Sequence, residues 1–502
     1  MESLEARTEP LTQQGRQLRR ELSIWEAVGV SLALMAPSMA ANINPQGSAL
    51  TVGRAVPLTF VLATAGVLLV AYTFLRLCQQ FNHAGSVYGF VGATLGARSG
   101  VVAGWSLMGT YGFYGCVTSM AAGIFGAAFL DAIGIWNNPP DWAGFLIGGI
   151  ALLGVCYLGI RPVKHGTRFL LIVEVTTVAL ILLVCLVVLI RVLAGNSPTG
   201  TSFTLNMFTV PAGVSPSVLF LGVVFGFLSF AGFEAAATLG EEAHNPRKDI
   251  PRAILGVAIF GGVYFVFVTA VEMLGFGTDA KGVAAFGASS SLLGELGSKF
   301  VGGWVGDIVT LGTSISAFGC ALACLVGCAR LLFALSRDGV GPASLAGVSE
   351  QHGTPAPASI VATIGMYAVI AVLAIGFRAE PFDVFLWSGV IGTLILLFVY
   401  IMATLGAIKL LWFSGPAKVA TWQIVIPIGA LIVLGYTIYR NVWPYPAHYN
   451  TDGSTNPFFF LPIACAAWIL LAVLLVVGRP SIAQRAGERL TAEEGLAAAA
   501  AR

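Results

Sequence analysis

Apolar runs long enough to cross a bilayer alternate with short polar stretches along almost the whole chain. A membrane-spanning helix needs about 20 apolar residues, and this criterion predicts about twelve spans, centred near residues 36, 68, 114, 152, 182, 228, 263, 318, 367, 396, 430 and 468. Charged residues make up 10% of the chain and hydrophobic residues 57%, whereas soluble domains carry about 25% charged residues. We therefore predict an all-α integral membrane protein.

The sixth apolar run contains the sequence FGFLSFAGFE, residues 225–234. Its carboxylate, Glu234, lies at membrane depth, where an ionisable group costs roughly 2.5 kcal/mol or more. Gly226 and Gly232 lower helix propensity, and non-helical backbone is tolerated at this depth only where it is buried or lines a cavity. The run is predicted to be a helix broken near Ser229–Phe233 around a binding site. The alternative is a continuous helix in which Glu234 has a partner.

The first apolar run is interrupted by Pro37 within the sequence SLALMAPSMAAN. Proline removes a backbone donor and biases Ala36 away from helical angles. Ser31, Ser38 and Asn42 place polar groups at the same depth. Interruptions at corresponding places in two halves of a chain point to a transport site, so we predict an unwound segment here, with a simple proline kink as the alternative.

Two other spans carry candidate site residues. Tyr111 and Tyr114 in the third span share a helical face with Thr118, and the two tyrosines either line the site or pack against other helices. Thr313 and Ser314 in the eighth span either bond to their own backbone, as membrane hydroxyls usually do, or line a small cation site.

The fifth span contains a lone acid, Glu174. One interpretation pairs it at the membrane interface with Arg168, Lys164 or His165. The other gives it a role in ion coupling, because acids within spans mark proton or cation pathways.

The sequence gives little indication of a metal site, of disulfide bonds or of nucleic-acid binding. Cys320, Cys324 and Cys328 repeat every four residues, but no fourth ligand is nearby, and small residues pack membrane helices closely. All eight cysteines fall in apolar runs, so no disulfide framework is expected. The net charge of +2 does not indicate a strongly basic surface of the kind that binds nucleic acid. We expect no metal, no cofactor and no nucleic-acid partner.

The loops predict how the chain is oriented. Assigning loops to alternate sides places 20 of the 26 Lys and Arg residues on one side and six on the other. Positive charge marks the cytoplasmic side, so both termini are expected in the cytoplasm.

Two of the positively charged loops carry motifs. Residues 240–254 read GEEAHNPRKDIPRAI, and residues 329–342 read ARLLFALSRDGVGP. Both resemble signatures of the amino acid–polyamine–organocation superfamily, and residues 85–88, GSVY, are a weaker match. The resemblance covers about residues 24–415.

The resemblance implies a leucine-transporter-like fold. It would have a cytoplasmic tail, 1–23, two inverted five-helix repeats, 24–195 and 212–412, two extra helices, 420–478, and a second cytoplasmic tail, 479–502. Substrate would bind at the backbone of the two breaks. The residues that the resemblance implies for substrate binding are Ala36, Pro37, Ser38, Met39 and Ala40 at the first break, and Ser229, Phe230, Ala231, Gly232 and Phe233 at the second.

The predicted function is that of a secondary-active permease in the plasma membrane. It would move an amino acid, or a related amine or polyamine, by alternating access, with Glu174, Thr313 and Ser314 as candidates for ion coupling. The charged groups Glu241, Arg247, Arg337 and Asp338 are expected to form a gate. A non-transporting solute sensor with the same fold is the alternative. The small solute and membrane lipid are the expected partners, and the oligomeric state is left open.

Overall fold

The computed structural model describes residues 23–81, 86–161, 164–239, 243–349, 353–449 and 456–481. Helices dominate these ranges. Numbered in chain order, they are α1 (Ile24–Met35), α2 (Pro37–Val52), α3 (Val56–Gln80), α4 (Ser86–Leu95), α5 (Ala97–Ala132), α6 (Ala143–Gly159), α7 (Lys164–Leu193), α8 (Leu219–Phe230), α9 (Pro246–Phe276), α10 (Ala280–Ala288), α11 (Leu292–Phe300), α12 (Gly303–Arg337), α13 (Ala356–Ala371), α14 (Pro381–Ile408), α15 (Val425–Val442) and α16 (Pro457–Gly478).

Nine helical segments within the described ranges are long and apolar enough to cross a membrane. The first of them, Ile24–Gln80, comprises α1, α2 and α3, and two shorter apolar helices, Ala143–Gly159 and Pro216–Phe230, are not among the nine. Length and composition therefore make the chain an integral membrane protein. The predicted number of about twelve spans requires that the first segment cross twice and both shorter helices cross once, and it stays a prediction.

Helix α5 lies at the centre of the bundle. It packs against α12 and α14, and α3 packs against α9. Small residues allow the closest approaches: a Cβ atom added to Gly123 of α5 would lie 2.0 Å from the carbonyl oxygen of Gly144 in α6. Close backbone packing at small residues is typical of helices in membranes.

The structure contains both predicted interruptions. Between α1 and α2, Ala36 is left-handed, with φ 43° and ψ 61°, a conformation that costs a non-glycine residue roughly 1–2 kcal/mol. Pro37 then opens α2 at the first helical position, where its missing N–H is tolerated. The second interruption begins after Phe230, slightly later than predicted. Gly232 follows with φ 99°, which favours glycine, and a short 3-10 helix spans Ala235–Leu239.

Candidate functional site

The two interruptions lie against each other. The Ser31 hydroxyl donates to the carbonyl oxygen of Phe233 (3.1 Å) and accepts from the backbone N–H of Ala236 (3.0 Å). A Cβ atom added to Gly232 would lie 2.7 Å from Cβ of Leu34. The Ser31 side chain of α1 thus satisfies two backbone groups at the second interruption, as broken helices in a bilayer require.

Beyond the interruptions, α2 runs beside α8. The Asn44 amide donates to the Ser229 hydroxyl (2.8 Å), which itself donates to the carbonyl oxygen of Phe225 (2.9 Å). The Ser48 hydroxyl donates to the carbonyl oxygen of Gly222 (2.9 Å). Ser229 therefore joins the two helices in this structure, and its hydroxyl is fully engaged.

Glu174 caps the first turn of α2. The Ser38 backbone N–H donates to one carboxylate oxygen (2.9 Å), and the Ser38 hydroxyl lies 2.9 Å from both. Glu174 is 5% exposed. A helix N-terminus carries partial positive charge and unpaired N–H groups, so it stabilises an anion. The acid from α7 thus binds directly beside the Ala36 break.

The candidate cation-site residues of α12 point to different neighbours. The Ser314 hydroxyl donates to the carbonyl oxygen of Ala122 in α5 (2.9 Å). The Thr313 hydroxyl donates to the carbonyl oxygen of Val309 (2.7 Å) and accepts from the Asn42 amide (3.0 Å). The hydroxyls that lie beside Glu174 are those of Ser38 in α2 and Ser316 in α12. The side chains of Lys164, His165 and Arg168, the alternative partners, lie outside the described residues.

Asn42 ties three helices together. Besides Thr313 of α12, its amide nitrogen donates to the Ser291 hydroxyl (3.1 Å), and its amide oxygen accepts from the backbone N–H of Leu293 at the start of α11 (2.8 Å). Asn42 therefore links α2 directly to α11 and α12.

Glu234 follows the second interruption and is also 5% exposed. Its Oε2 atom is buried and has no hydrogen-bond partner within the described ranges. Tyr111 and Tyr114 of α5 and Tyr400 of α14 interact electrostatically with it. The Tyr400 hydroxyl lies beside the carboxylate without an aligned hydrogen bond, and the Tyr114 hydroxyl lies 3.0 Å from that of Thr393.

This arrangement suits a cation. A buried carboxylate with an open oxygen attracts an ammonium group, and aromatic faces add a further attraction of about 0.5–2 kcal/mol. Carbonyl groups at the C-terminal ends of α1 and α8 contribute partial negative charge. The structure thus brings Tyr111 and Tyr114 near the acid that follows the second interruption.

The thiols of α12 lie close to the same region. The Cys320 thiol donates to the carbonyl oxygen of Leu34 (3.0 Å), and Cys324 is a neighbour of both Tyr111 and Tyr114. In the described part of the chain, no group of three or more His, Cys, Asp and Glu side chains is arranged for a metal ion.

The candidate gate is partly visible. Arg337 Nε lies 3.5 Å from Asp338 Oδ1, and the Tyr88 hydroxyl donates to Asp338 Oδ2 (3.0 Å). Tyr88 belongs to the weaker motif at residues 85–88, so the structure joins two of the three loop motifs. Arg247 is exposed, and Glu241 lies outside the described residues.

Two buried polar residues of the bundle are not among those that the sequence predicts for the site. Tyr400 and Glu272 are buried, with hydroxyl or carboxylate oxygens that lack hydrogen-bond partners in the described part. Glu272 meets the criterion that singled out Glu174, an acid within an apolar run, and the same rule applied to every span would have found it. A tyrosine in a span carries no comparable signal.

Comparisons with known proteins agree on the class of protein. The model of the amino acid permease family matches residues 46–479. The chain is 27% identical to the low-affinity putrescine importer PlaP of Escherichia coli strain K12, over 72% of this chain and 75% of that protein. It is 26% identical to the branched-chain amino acid permease BcaP of Bacillus subtilis strain 168, over 68% and 72% of the two chains. A methylthioribose transporter of the same bacterium is 27% identical over the same shares.

Proposed function

The chain belongs to the amino acid permease family, and from that premise we propose that it is a secondary-active transporter of an amino acid or a related amine, working by alternating access. Its relatives are transporters of different small solutes, so the family alone does not choose the substrate. The observation that carries the proposal is the open carboxylate oxygen of Glu234 among three tyrosines.

Glu234 would bind the amino group of the solute. Tyr111, Tyr114 and Tyr400 would surround the cation, and the backbone of Ala36–Ala40 and Ser229–Phe233 would complete the site. Half-helix ends at membrane depth bind charged solute groups in transporters. Opening towards one side and then the other requires that these broken segments move.

The state of the α2 N-terminus favours an amine over an amino acid. Pro37 has no N–H group, the N–H of Ser38 is bound to Glu174, and the N–H of Ala40 bonds to the carbonyl oxygen of Ala36 (2.8 Å). A solute carboxylate at this helix end would have to compete with Glu174 for the donors of Ser38. We therefore propose an amine without an α-carboxylate, such as a di- or polyamine, as the preferred substrate.

Proton coupling through Glu174 is part of the proposal. Its contacts with α2 would be made in one state of the cycle and lost in another, and a carboxylate that loses its donors in an apolar site is more stable when protonated. Two inverted repeats, residues 24–195 and 212–412, with cytoplasmic termini and a position in the plasma membrane, complete the proposal. The interruptions of the first and sixth apolar runs support the repeats.

Matched solutes test the substrate class. Putrescine and ornithine differ by one α-carboxylate, as do cadaverine and lysine, and all four can be offered to vesicles containing the purified full chain. We expect the amines to enter at least about tenfold more efficiently, since a competing buried charge costs about 1.4 kcal/mol or more. Equal uptake of both members would contradict the amine preference. Binding without entry would favour a sensor.

A further inference from the structure

A second acid is buried in α9, away from the two interruptions. Glu272 is 0% exposed, and neither of its carboxylate oxygens has a hydrogen-bond partner among the residues that the structure describes. Burying an isolated ionised carboxylate costs far more than burying the neutral acid, so such a group keeps its proton. The mechanism proposed above does not use this residue.

Helix α7 faces Glu272. A Cβ atom added to Gly275 of α9 would lie 3.3 Å from Cγ1 of Val188 in α7, and Cys185 of α7 interacts electrostatically with Glu272. Glu174 lies on the same face of α7 as Cys185, because 11 residues make about three helical turns, or roughly 16 Å along the axis.

Tyr264 of α9 is a neighbour of both acids. It is buried, and its hydroxyl lacks a hydrogen-bond partner within the described segments. Its electrostatic neighbours are Cys185, Glu174 and Glu272. A row of ionisable side chains therefore extends from the N-terminus of α2 to the last turn of α9.

The other helices that pack on α9 hold their charges elsewhere. On α11, Glu295 and Lys299 pair with each other, and Lys299 Nζ lies 5.8 Å from the centroid of the Phe276 ring. On α10, Lys281 is exposed, and α2 contains no charged residue. The charged residues of α1 and α3 have hydrogen-bond partners away from Glu272. Glu26 accepts from the N–H of Ser23, and Arg76 donates to Gln79 and Gln423.

We propose that Glu272 is a second proton-binding group of the transport cycle, which exchanges a proton with Glu174 past the Tyr264 hydroxyl. This rests on the proposed proton-coupled transport. While Ser38 donates to Glu174, that acid is ionised and the proton stays on Glu272. When α2 moves away, the O–H bond of Glu272 breaks and its proton enters a hydrogen-bonded chain of water and the Tyr264 hydroxyl, which takes up one proton as it releases its own, and the last proton of that chain forms the O–H bond of Glu174. Glu272 then recovers a proton from water at the end of α9.

The proton on Glu272 can be tested without any transport. Infrared spectroscopy of the purified full chain at neutral pH detects the carbonyl stretch of a protonated carboxylic acid. We expect Glu272→Gln to remove one such band and the control Glu295→Gln, in an exposed ion pair, to remove none. An unchanged band in Glu272→Gln would show that Glu272 is ionised and would overturn the proposal.

Vesicles test its role in the cycle, with putrescine as the probe and a pH-sensitive dye inside. In Glu272→Gln we expect putrescine-coupled proton entry and pH-driven accumulation to fall at least about tenfold, while exchange of internal for external putrescine changes less than about twofold. Tyr264→Phe, which keeps the ring, should slow proton entry in the same way. Proton entry at the wild-type rate in Glu272→Gln, or an equal loss of exchange, would refute the relay. A wild-type chain without putrescine flux would instead count against the proposed function, and the infrared result would still decide whether Glu272 holds a proton.

Discussion

At the first interruption the protein closes the helix end with its own carboxylate, whereas at the second it leaves a carboxylate open. Glu174 receives the backbone N–H and the hydroxyl of Ser38. Glu234, equally buried, keeps Oε2 without a hydrogen-bond partner in the described part of the chain. We propose that the acid beside the first break serves proton coupling and that the acid beside the second break binds a cation.

The largest effect on transport is expected from Gly232→Leu, which disrupts the contact between the two interruptions. The substitution forces a side chain into a backbone at φ 99° and against Leu34, so it should abolish transport while the protein still inserts. Uptake in vesicles measures this. Gly256→Leu is the matched control, because an added Cβ there meets no atom within 4 Å. Normal uptake by Gly232→Leu would mean that the second interruption does not form part of the site.

Glu234→Gln tests the open acid. Replacing a buried charge that binds an ammonium group should cost about 1.5–3 kcal/mol, which raises the apparent KM for putrescine roughly ten- to a hundredfold. Competition uptake measures the change, with Glu295→Gln as the control. An unchanged KM would place the cation elsewhere.

Ser38→Ala tests the role of Glu174 by removing one of its hydrogen-bond donors. It removes the hydroxyl from Glu174 but keeps the backbone N–H, so we expect weaker coupling, with pH-driven accumulation reduced about three- to tenfold and little change in KM, consistent with about 1 kcal/mol for one hydrogen bond. A large change in KM with intact accumulation would instead assign Ser38 to solute binding.

The smallest effect is expected at the candidate gate. The Arg337 side chain is 44% exposed and lies 3.5 Å from Asp338 near the end of α12, and a charge so open to water contributes about 0–1 kcal/mol. The buried Asp338 keeps the Tyr88 hydroxyl as a donor when Arg337 is removed. Arg337→Ala should therefore change the maximal rate less than about fivefold and leave the KM unchanged. Lys418→Ala, at an exposed position, is the control. A large loss of affinity at constant rate would remove Arg337 from the gate.

The sequence predicts the interruptions better than it predicts their partners. Pro37 and Gly232 act locally on the backbone, so the positions of both breaks could be predicted from neighbouring residues. Ser38 meets Glu174 across 136 positions of sequence, and no local pattern encodes that contact. The sequence predicts Thr313 and Ser314 as candidates for the same cation site, but adjacent residues on a helix point about 100° apart, so they contact different helices.

The most direct measurement compares Glu174→Gln with Glu234→Gln in the same vesicles, recording both putrescine exchange and pH-driven putrescine accumulation. If Glu174 couples transport to protons and Glu234 binds the solute, Glu174→Gln retains exchange and loses accumulation, because glutamine imitates the permanently protonated acid. Glu234→Gln should lose both to the same extent at low putrescine concentration. Unchanged pH-driven accumulation in Glu174→Gln, or normal exchange in Glu234→Gln, would contradict the division of roles between the two acids.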